Sequence, residues 1–453
     1  MNMNRKYHAL LIILSSLILL FFCFYNKFPL VHSDTGTYIS SGFSGEVPEN
    51  RPLIYGLLIR HVSLSASLYL VVLFQALLLS LLLFYYFKYF TAGTNLFRSF
   101  LPYIFLITFT TGVSYHASQL LPDIFTPMCI LSLGLLIMVP GLKRPDLVVI
   151  SVITVVAIPV HNAHYQLYAG MLLLISLLFA FRKTRRKMYF LHWKRLAYAW
   201  GLFAAAILLA SGIHAASGSS FSPTRGGHVF LMSRMNHLGI LKEYLEESCG
   251  EKEYRICEYR DSLPFTFIWD YEKSPLYKTG GWEANREEYV KILRDIHTTP
   301  RYLFRIVTRD LESAFNQFFN FETGPPKIHG EKTPPHANIH WRFPEHMGDY
   351  AAARQSKGTL DVSMLNHAEI LVVAISLLLM LIMMLTDIPF SWKFFLAFIL
   401  AGLVLNALIN GMVYVSPRYQ SRVVWLLTLP LFLGLLNKEI REAILPRSSN
   451  GDI

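Results

Sequence analysis

Residues 66–87 read ASLYLVVLFQALLLSLLLFYYF, a run of 22 residues that contains no charge. A helix of about 20 apolar residues is long enough to cross the hydrocarbon core of a bilayer. Inside lipid, every backbone N–H and C=O group must be paired within its own segment, which favours a helix. A membrane-crossing strand would alternate polar and apolar residues, and this run does not. The run therefore predicts a transmembrane helix.

Similar runs recur along the 453-residue chain, of which 53% is hydrophobic and only 16% charged. Soluble proteins carry about a quarter charged residues, so the composition indicates an all-α polytopic membrane protein. We predict ten spans, at residues 8–25, 66–87, 99–115, 118–139, 147–162, 166–181, 196–213, 367–386, 390–410 and 423–437. The first span begins like a signal peptide, but the bulky residues at its end offer no cleavage site, so we expect a retained anchor.

The net charge of +11 is distributed unevenly. With the N-terminus inside, the predicted cytoplasmic segments, counted together with Lys393 near the start of the ninth span, hold 17 Lys and Arg, whereas the short outer segments hold 5. This asymmetry follows the positive-inside rule, so we expect both termini to be cytoplasmic in the inner membrane of a cell. Because the basic residues encode topology, we expect no nucleic-acid partner.

The spans divide the chain into three parts. Residues 1–213 form an N-terminal module of seven spans, and residues 367–453 form a C-terminal module of three. Residues 214–366 hold 19 basic and 20 acidic residues, the balance of a water-soluble domain, which we expect to be extracytoplasmic and mainly helical or irregular. Its proline-rich segment 322–348 is predicted to be a loop without regular structure.

The four cysteines fall into two groups. Cys23 and Cys129 lie in predicted spans, whereas Cys249 and Cys257 both lie in the outer domain. An oxidising compartment favours a disulfide between the second pair, although two free thiols are the alternative.

Polar residues gather in the predicted outer turns. Residues 32–38 (HSDTGTY) follow the first span, residues 115–123 (YHASQLLPD) join the third and fourth, and residues 161–165 (HNAHY) join the fifth and sixth. The last outer turn, residues 414–422, reads YVSPRYQSR. Since acids and other polar groups at the ends of apolar helices are costly and informative, we place the working face on the outer side.

Part of this pattern resembles the GT-C superfamily of integral-membrane glycosyltransferases. The resemblance consists of one helix, an outer loop with Asp34 and Tyr38, then Arg51-Pro52, a short surface helix at residues 52–60, and the turn Arg418-Tyr419 before a last apolar helix. It covers mainly residues 1–90 and 400–437. Such enzymes take a sugar from a polyprenyl phosphate or pyrophosphate. The resemblance implies that the carboxylate of Asp34 is the catalytic group.

The chemistry of such a transfer assigns the remaining candidates. A carboxylate can deprotonate an acceptor hydroxyl, and planar guanidinium groups suit the departing phosphate. The expected donor- or substrate-binding residues are Arg51, Arg418, Arg422, Tyr38, Asp123, His116 and His164. Structural alternatives are a helix cap or turn for the two acids, packing for His164, and contact with lipid headgroups for Arg418.

The expected partners are a lipid-linked sugar, membrane lipids, and a glycan, lipid or protein acceptor. No Trp-Trp-Asp motif is present, so transfer to asparagine is not expected. Members of the superfamily often carry two adjacent acids where this chain has one, which leaves dependence on a divalent cation open. No cofactor is otherwise implied, and the irregularly spaced histidines 329, 336, 340 and 346 do not predict a metal site.

Two other functions compete with this one. An enzyme of the O-antigen polymerase or ligase type would also have about ten helices and a large outer loop, and it would use residues of that loop such as Arg225 and His228. A transporter or flippase would need ionisable or broken positions at the bilayer midplane, together with repeats. The apolar centres of the predicted helices count against a transporter.

Overall fold

The computed structural model describes residues 5–91 and 95–444. The chain is all-helical, with 74% helix and, within these ranges, no strand beyond one isolated bridge between Leu30 and Gln119. Predicted cytoplasmic residues at both ends, among them Arg447, lie outside the described residues.

The helices of the N-terminal part are α1 (Arg5–Leu19), α2 (Phe21–Asn26), α3 (Ser33–Ser44), α4 (Ile54–Val62), α5 (Leu68–Phe90), α6 (Leu96–Thr110), α7 (Val113–Ala117), α8 (Phe125–Met138), α9 (Arg144–Ala157), α10 (Asn162–Ala180), α11 (Arg182–Lys187) and α12 (Trp193–Ala216). Those of the middle part are α13 (Gly227–His237), α14 (Ile240–Ser248), α15 (Pro275–Lys278), α16 (Gly281–Ala284), α17 (Arg286–Thr298), α18 (Pro300–Phe318), α19 (Pro334–Arg342) and α20 (Met347–Ala352). Those of the C-terminal part are α21 (Ser363–Leu385), α22 (Phe390–Gly411), α23 (Arg418–Val424), α24 (Thr428–Leu436) and α25 (Lys438–Ile444).

Six helical segments of the described chain are long and apolar enough to cross a membrane. They are Leu68–Phe90, Asn162–Ala180, Trp193–Ala216, Ser363–Leu385, Phe390–Gly411 and Arg418–Leu436. All ten predicted spans fall on helix, but four of them correspond to shorter pieces, such as α6 and α7, which are separated at Thr111 and Gly112. The chain is therefore a helical protein with several candidate membrane spans, and the count of ten stays a prediction.

The apolar residues form two main cores. The larger core runs through the long helices and includes residues of α3, α4 and α19 at one end of the bundle. A separate core within residues 229–306 includes Met232, Leu241 and Tyr289. Helix α18 belongs to both, since Tyr302 and Ile306 lie in the second core, whereas Phe318 packs against the first.

The predicted disulfide is confirmed. Cys249 and Cys257 are bonded, with their Cα atoms 5.8 Å apart, a normal separation for a disulfide. Cys23 and Cys129 are free and buried. A loop this short contributes about 2–3 kcal/mol to stability in the chain-entropy view of disulfides.

The prediction that residues 322–348 lack regular structure is wrong in part, because this segment contains α19. Pro334 and Pro335 occupy the first turn of that helix, where a backbone N–H has no partner to lose. The predicted helix at residues 52–60 is present as α4. However, its residues Ile54, Tyr55 and Ile59 are buried within the protein.

A close contact between α3 and α4 explains that burial. A Cβ atom on Gly42 would lie 2.1 Å from the carbonyl oxygen of Gly56, so the two backbones touch where only glycine fits. This contact determines where the connecting loop, which carries Arg51, returns toward the start of α3.

Candidate functional site

Asp34 lies in the first turn of α3, but it is not the helix cap. The cap is His32, whose side chain accepts the Asp34 N–H at 3.5 Å, while Thr35 Oγ1 accepts the His32 N–H at 2.9 Å. This reciprocal arrangement is a capping box, with histidine in place of the usual serine or threonine. Burial and the charge of Arg418 lower the pKa of His32 to about 4, so its imidazole is neutral and can accept.

Backbone pairing brings the first two predicted outer sites together. The Leu30 N–H donates to the Ser118 carbonyl at 2.8 Å, and the Leu120 N–H donates to the Leu30 carbonyl at 2.9 Å. Thr35 Oγ1 adds a bond to the Leu120 carbonyl. The start of α3 is thereby held against the turn that leads to Asp123.

Two guanidinium groups contact the Asp34 carboxylate. Arg51 Nη2 lies 3.2 Å from Oδ1, and Arg418 Nη2 lies 3.3 Å from Oδ2. The Asp34 side chain is 27% exposed, so its carboxylate is partly accessible rather than enclosed in the core. Burial acts to raise the pKa of Asp34, but the charges of Arg51 and Arg418 outweigh it and hold that pKa well below its usual value.

A second carboxylate lies behind the first. Arg418 Nε is 3.8 Å from Asp123 Oδ2, so Arg418 bridges the two acids. Arg422 pairs with Asp123 Oδ1, and both of these side chains are almost fully buried. Asn406 and Asn410 of α22 each accept a bond from Arg422 Nη2 at 3.2 Å. Arg422 is therefore held by three partners on two helices.

The cluster has more guanidinium groups than carboxylates to pair with them. Three arginines, at positions 51, 418 and 422, contact two acids, at positions 34 and 123. Among the described residues, Arg418 Nη1 and Arg422 Nε are buried without a hydrogen-bond partner. Asp123 Oδ2 is also buried without a hydrogen-bond partner. Since a buried donor without an acceptor is costly, Arg418 Nη1, which belongs to the arginine beside the partly exposed Asp34, suits an anionic ligand.

The ring of Tyr38 packs against the guanidinium group of Arg51. The guanidinium carbon of Arg51 lies 5.0 Å from the centre of the Tyr38 ring, in cation–π geometry. The Tyr38 ring meets that of Tyr55 edge to face, and the Tyr55 hydroxyl donates to Gln75 at 2.6 Å. This column of buried groups connects the site to α5.

A buried carboxylate that was not among the predicted site residues contacts α23 from the other side. Glu369 of α21 accepts the Gly112 N–H at 2.9 Å and the Ser421 hydroxyl at 3.0 Å. His116 Nε2 lies within hydrogen-bonding distance of the same hydroxyl, 3.2 Å from Ser421 Oγ. His116 is thus placed beside α23. An acid close to the end of an apolar span was the signal that would have indicated Glu369.

The other predicted residues lie apart from the ion pairs. His164 is fully buried, with Nδ1 donating to the Ala157 carbonyl and Nε2 accepting from Thr126 Oγ1. Both ring nitrogens are therefore used within the protein, which matches the packing role. Arg225 donates to the Val47 carbonyl, and His228 bonds to the Trp282 carbonyl.

The proline-rich segment lies over the start of α3. A Cβ atom on Gly36 would lie 2.4 Å from the carbonyl carbon of Pro334, so α19 meets α3 backbone to backbone. The ring of His329 lies 6.3 Å from that of His32, and His329 is itself buried. Part of the middle region therefore forms one wall beside Asp34.

Comparison of the chain with protein-family models, with curated proteins and with solved structures found no match. The residues of the site are therefore interpreted from their own geometry and chemistry.

Proposed function

We propose that this protein is a membrane glycosyltransferase that moves a sugar from a polyprenyl phosphate or pyrophosphate to an acceptor hydroxyl. The main support is the position of Arg418, which lies between Asp34 and Asp123 in a cluster of three guanidinium groups and two carboxylates. The resemblance of residues 1–90 and 400–437 to the GT-C superfamily supports the same activity.

The surplus positive charge gives the donor its binding site. Arg51 and Arg418 are partly exposed and carry planar donor groups, which match phosphate oxygens in bidentate geometry. Arg422 is completely buried between Asp123 and two asparagines, so we assign it to positioning Asp123 and α23 rather than to the ligand.

Donor binding also adjusts Asp34 for its role. With two arginines paired to it, the carboxylate has a low pKa and is a weak base. A phosphate that takes over these guanidinium groups removes the interactions that lower the pKa, while burial, which raises it, remains. The site therefore strengthens its base only when the donor is present.

The proposed transfer forms one bond and breaks one. The acceptor oxygen forms a bond to the anomeric carbon of the sugar, and the bond between that carbon and the phosphate oxygen breaks. The acceptor proton goes to Asp34, and the carrier phosphate leaves with the bonding electrons. Arg51 and Arg418 neutralise the charge that develops on this phosphate in the transition state. The need for a divalent cation stays open.

The proposed setting is the outer face of a cell's inner membrane. Lipid-linked sugars are available to extracytoplasmic enzymes there, and the acceptor is a glycan, lipid or protein hydroxyl. The disulfide between Cys249 and Cys257 supports an oxidising compartment for the middle domain.

The direct test substitutes the proposed base. Asp34→Asn removes the carboxylate at nearly constant size, and we expect release of polyprenyl phosphate to fall by about 10²–10⁴-fold. The assay supplies a panel of synthetic polyprenyl-phosphate sugars with extracted envelope acceptors. Asp34→Glu is expected to recover little, because an extra methylene misplaces the carboxylate by about an ångström.

Asp349→Asn provides the matched control, since Asp349 is an exposed acid of α20 that lies outside the cluster of ion pairs. Its activity should equal that of the wild type. Full activity in a folded Asp34→Asn protein would refute the assignment of Asp34 as the base.

A further inference from the structure

Helix α18 carries a strip of apolar side chains that no part of the described chain covers. Phe304, Val307, Leu311 and Phe315 are exposed by 72%, 48%, 59% and 66%. Their spacing of three, four and four residues places them on one side of the helix. Single exposed apolar residues are common, but a continuous strip of this length indicates an interaction surface.

The other sides of α18 are accounted for. One side is buried in the protein and contains Tyr302, Ile306, Asp310 and Gln317. A third side carries the charged residues Arg301, Arg305, Arg309 and Glu312, of which Arg301 and Arg305 pair with Glu247 and Glu243. At 3.6 residues per turn, the buried, charged and apolar sets occupy three separate sectors.

The C-terminal half of α18 is anchored beside the end of a candidate membrane span. A Cβ atom on Gly411, the last residue of α22, would lie 2.8 Å from the Ser313 carbonyl oxygen. Gln317 exchanges two hydrogen bonds with the backbone of Ser416, at 2.9 and 2.8 Å. These contacts place the C-terminal half of α18 beside the C-terminal end of α22, which is a candidate membrane span.

The surface that continues from this contact is also apolar. Met412, Val413 and Tyr414, which follow α22, are exposed, and so is Val404 within it. Exposed apolar residues on a membrane span face lipid, and aromatic residues concentrate at the membrane interface. The C-terminal end of the strip therefore lies near exposed apolar residues at the end of a candidate membrane span, and the charged residues of α18 occupy a different sector of the helix.

We propose that α18 lies in the membrane interface and inserts this strip into the leaflet on the side of residues 227–306. Its occupant is the lipid surface. A helix with separate apolar and charged sides, rich in arginine, binds in this way, with its apolar side about 5–10 Å below the headgroups. The helix would hold the middle domain at a constant height above the bundle. This inference does not depend on the proposed activity.

Spin labelling of the full-length protein in phosphatidylcholine nanodiscs tests the proposal. Both free cysteines are buried and the other two are bonded, so single variants can be labelled in the native background. The variants are Leu311→Cys and Phe315→Cys on the strip. The matched controls are Glu312→Cys on the charged side of the same helix and Phe265→Cys, an exposed apolar position of the separate core region.

Collision rates with oxygen, which concentrates in lipid, are compared with those of a water-soluble nickel chelate. We expect the oxygen-to-nickel ratio at 311 and 315 to be several-fold above that at 312 and 265. Equal ratios at all four positions would overturn the proposal. Protection of 311 from both reagents, with a dipolar coupling that disappears on dilution with unlabelled protein, would assign the strip to a second copy and also overturn it.

Discussion

Arg418 is the residue through which the two carboxylates of the site are connected. Its Nη2 contacts Asp34 and its Nε contacts Asp123. Lysine would keep the charge but lose the planar fork, so Arg418→Lys should fold and bind the donor more weakly. Losing one charge-assisted hydrogen bond costs about 1.5–3 kcal/mol, which corresponds to roughly a tenfold or larger rise in the donor KM.

Arg422→Lys is the contrasting variant. Because Arg422 is fully buried with three polar partners, we expect this change to lower the thermal unfolding midpoint, whereas Arg418→Lys should leave it nearly unchanged. Fluorescence-detected unfolding in detergent measures both. A larger loss of stability in Arg418→Lys than in Arg422→Lys would contradict the division of roles between the two arginines.

At this scale, the sequence predicted the chemical types better than their contacts. Asp34, Arg51 and Arg418 could be proposed from residue type and position beside apolar runs, and the structure brings them together. Glu369 was overlooked despite its position near the end of an apolar span, whereas Asn406 and Asn410 were not proposed because each is a polar group inside an apolar stretch. Their importance depends on which helix faces which, and no local pattern encodes that.

A substitution in the contact between α3 and α4 tests whether these two helices position the site. Gly42→Ala inserts a methyl group where the Gly56 carbonyl lies 2.1 Å away, so the helices must separate and Arg51 must move relative to Asp34. Overpacking of this kind costs about 1–3 kcal/mol. We expect a lower unfolding midpoint together with lower turnover.

Gly201→Ala is the control for that variant. Gly201 lies within α12 with open space around its Cα, so alanine should be neutral or slightly stabilising there. A Gly42→Ala protein with wild-type stability and turnover would show that the two helices do not position the site.

The hydrophobic runs predicted which helices form, but they did not predict where those helices begin and end. The run at residues 99–115 is divided into α6 and α7 at Thr111 and Gly112, where the Gly112 N–H donates to Glu369 instead of to a carbonyl of α6. Likewise, the prolines that suggested a loop at 322–348 begin α19 instead. The first outcome depends on a tertiary partner that is distant in the sequence, whereas the second reflects the tolerance of a first helical turn for proline.

The orientation of the whole molecule remains a prediction from the charge asymmetry. We expect Glu272→Cys to react with a membrane-impermeant maleimide on intact cells, and Lys183→Cys to react only after permeabilisation. Both positions are exposed, and the native free cysteines are buried, so background labelling should be low. Labelling of Lys183→Cys but not Glu272→Cys on intact cells would reverse the topology.

In the proposed function, the arginines beside Asp34 hold the phosphate of a lipid-linked sugar. An electron cryomicroscopy map of the protein in nanodiscs, with a non-hydrolysable polyprenyl-phosphate sugar bound, tests it most directly. We expect the phosphate within hydrogen-bonding distance of Arg51 and Arg418, with the Asp34 carboxylate released from Arg418 and directed toward the anomeric carbon. A phosphate bound beside Arg225, with the pair between Asp34 and Arg418 intact, would refute the assignment of these arginines to the donor.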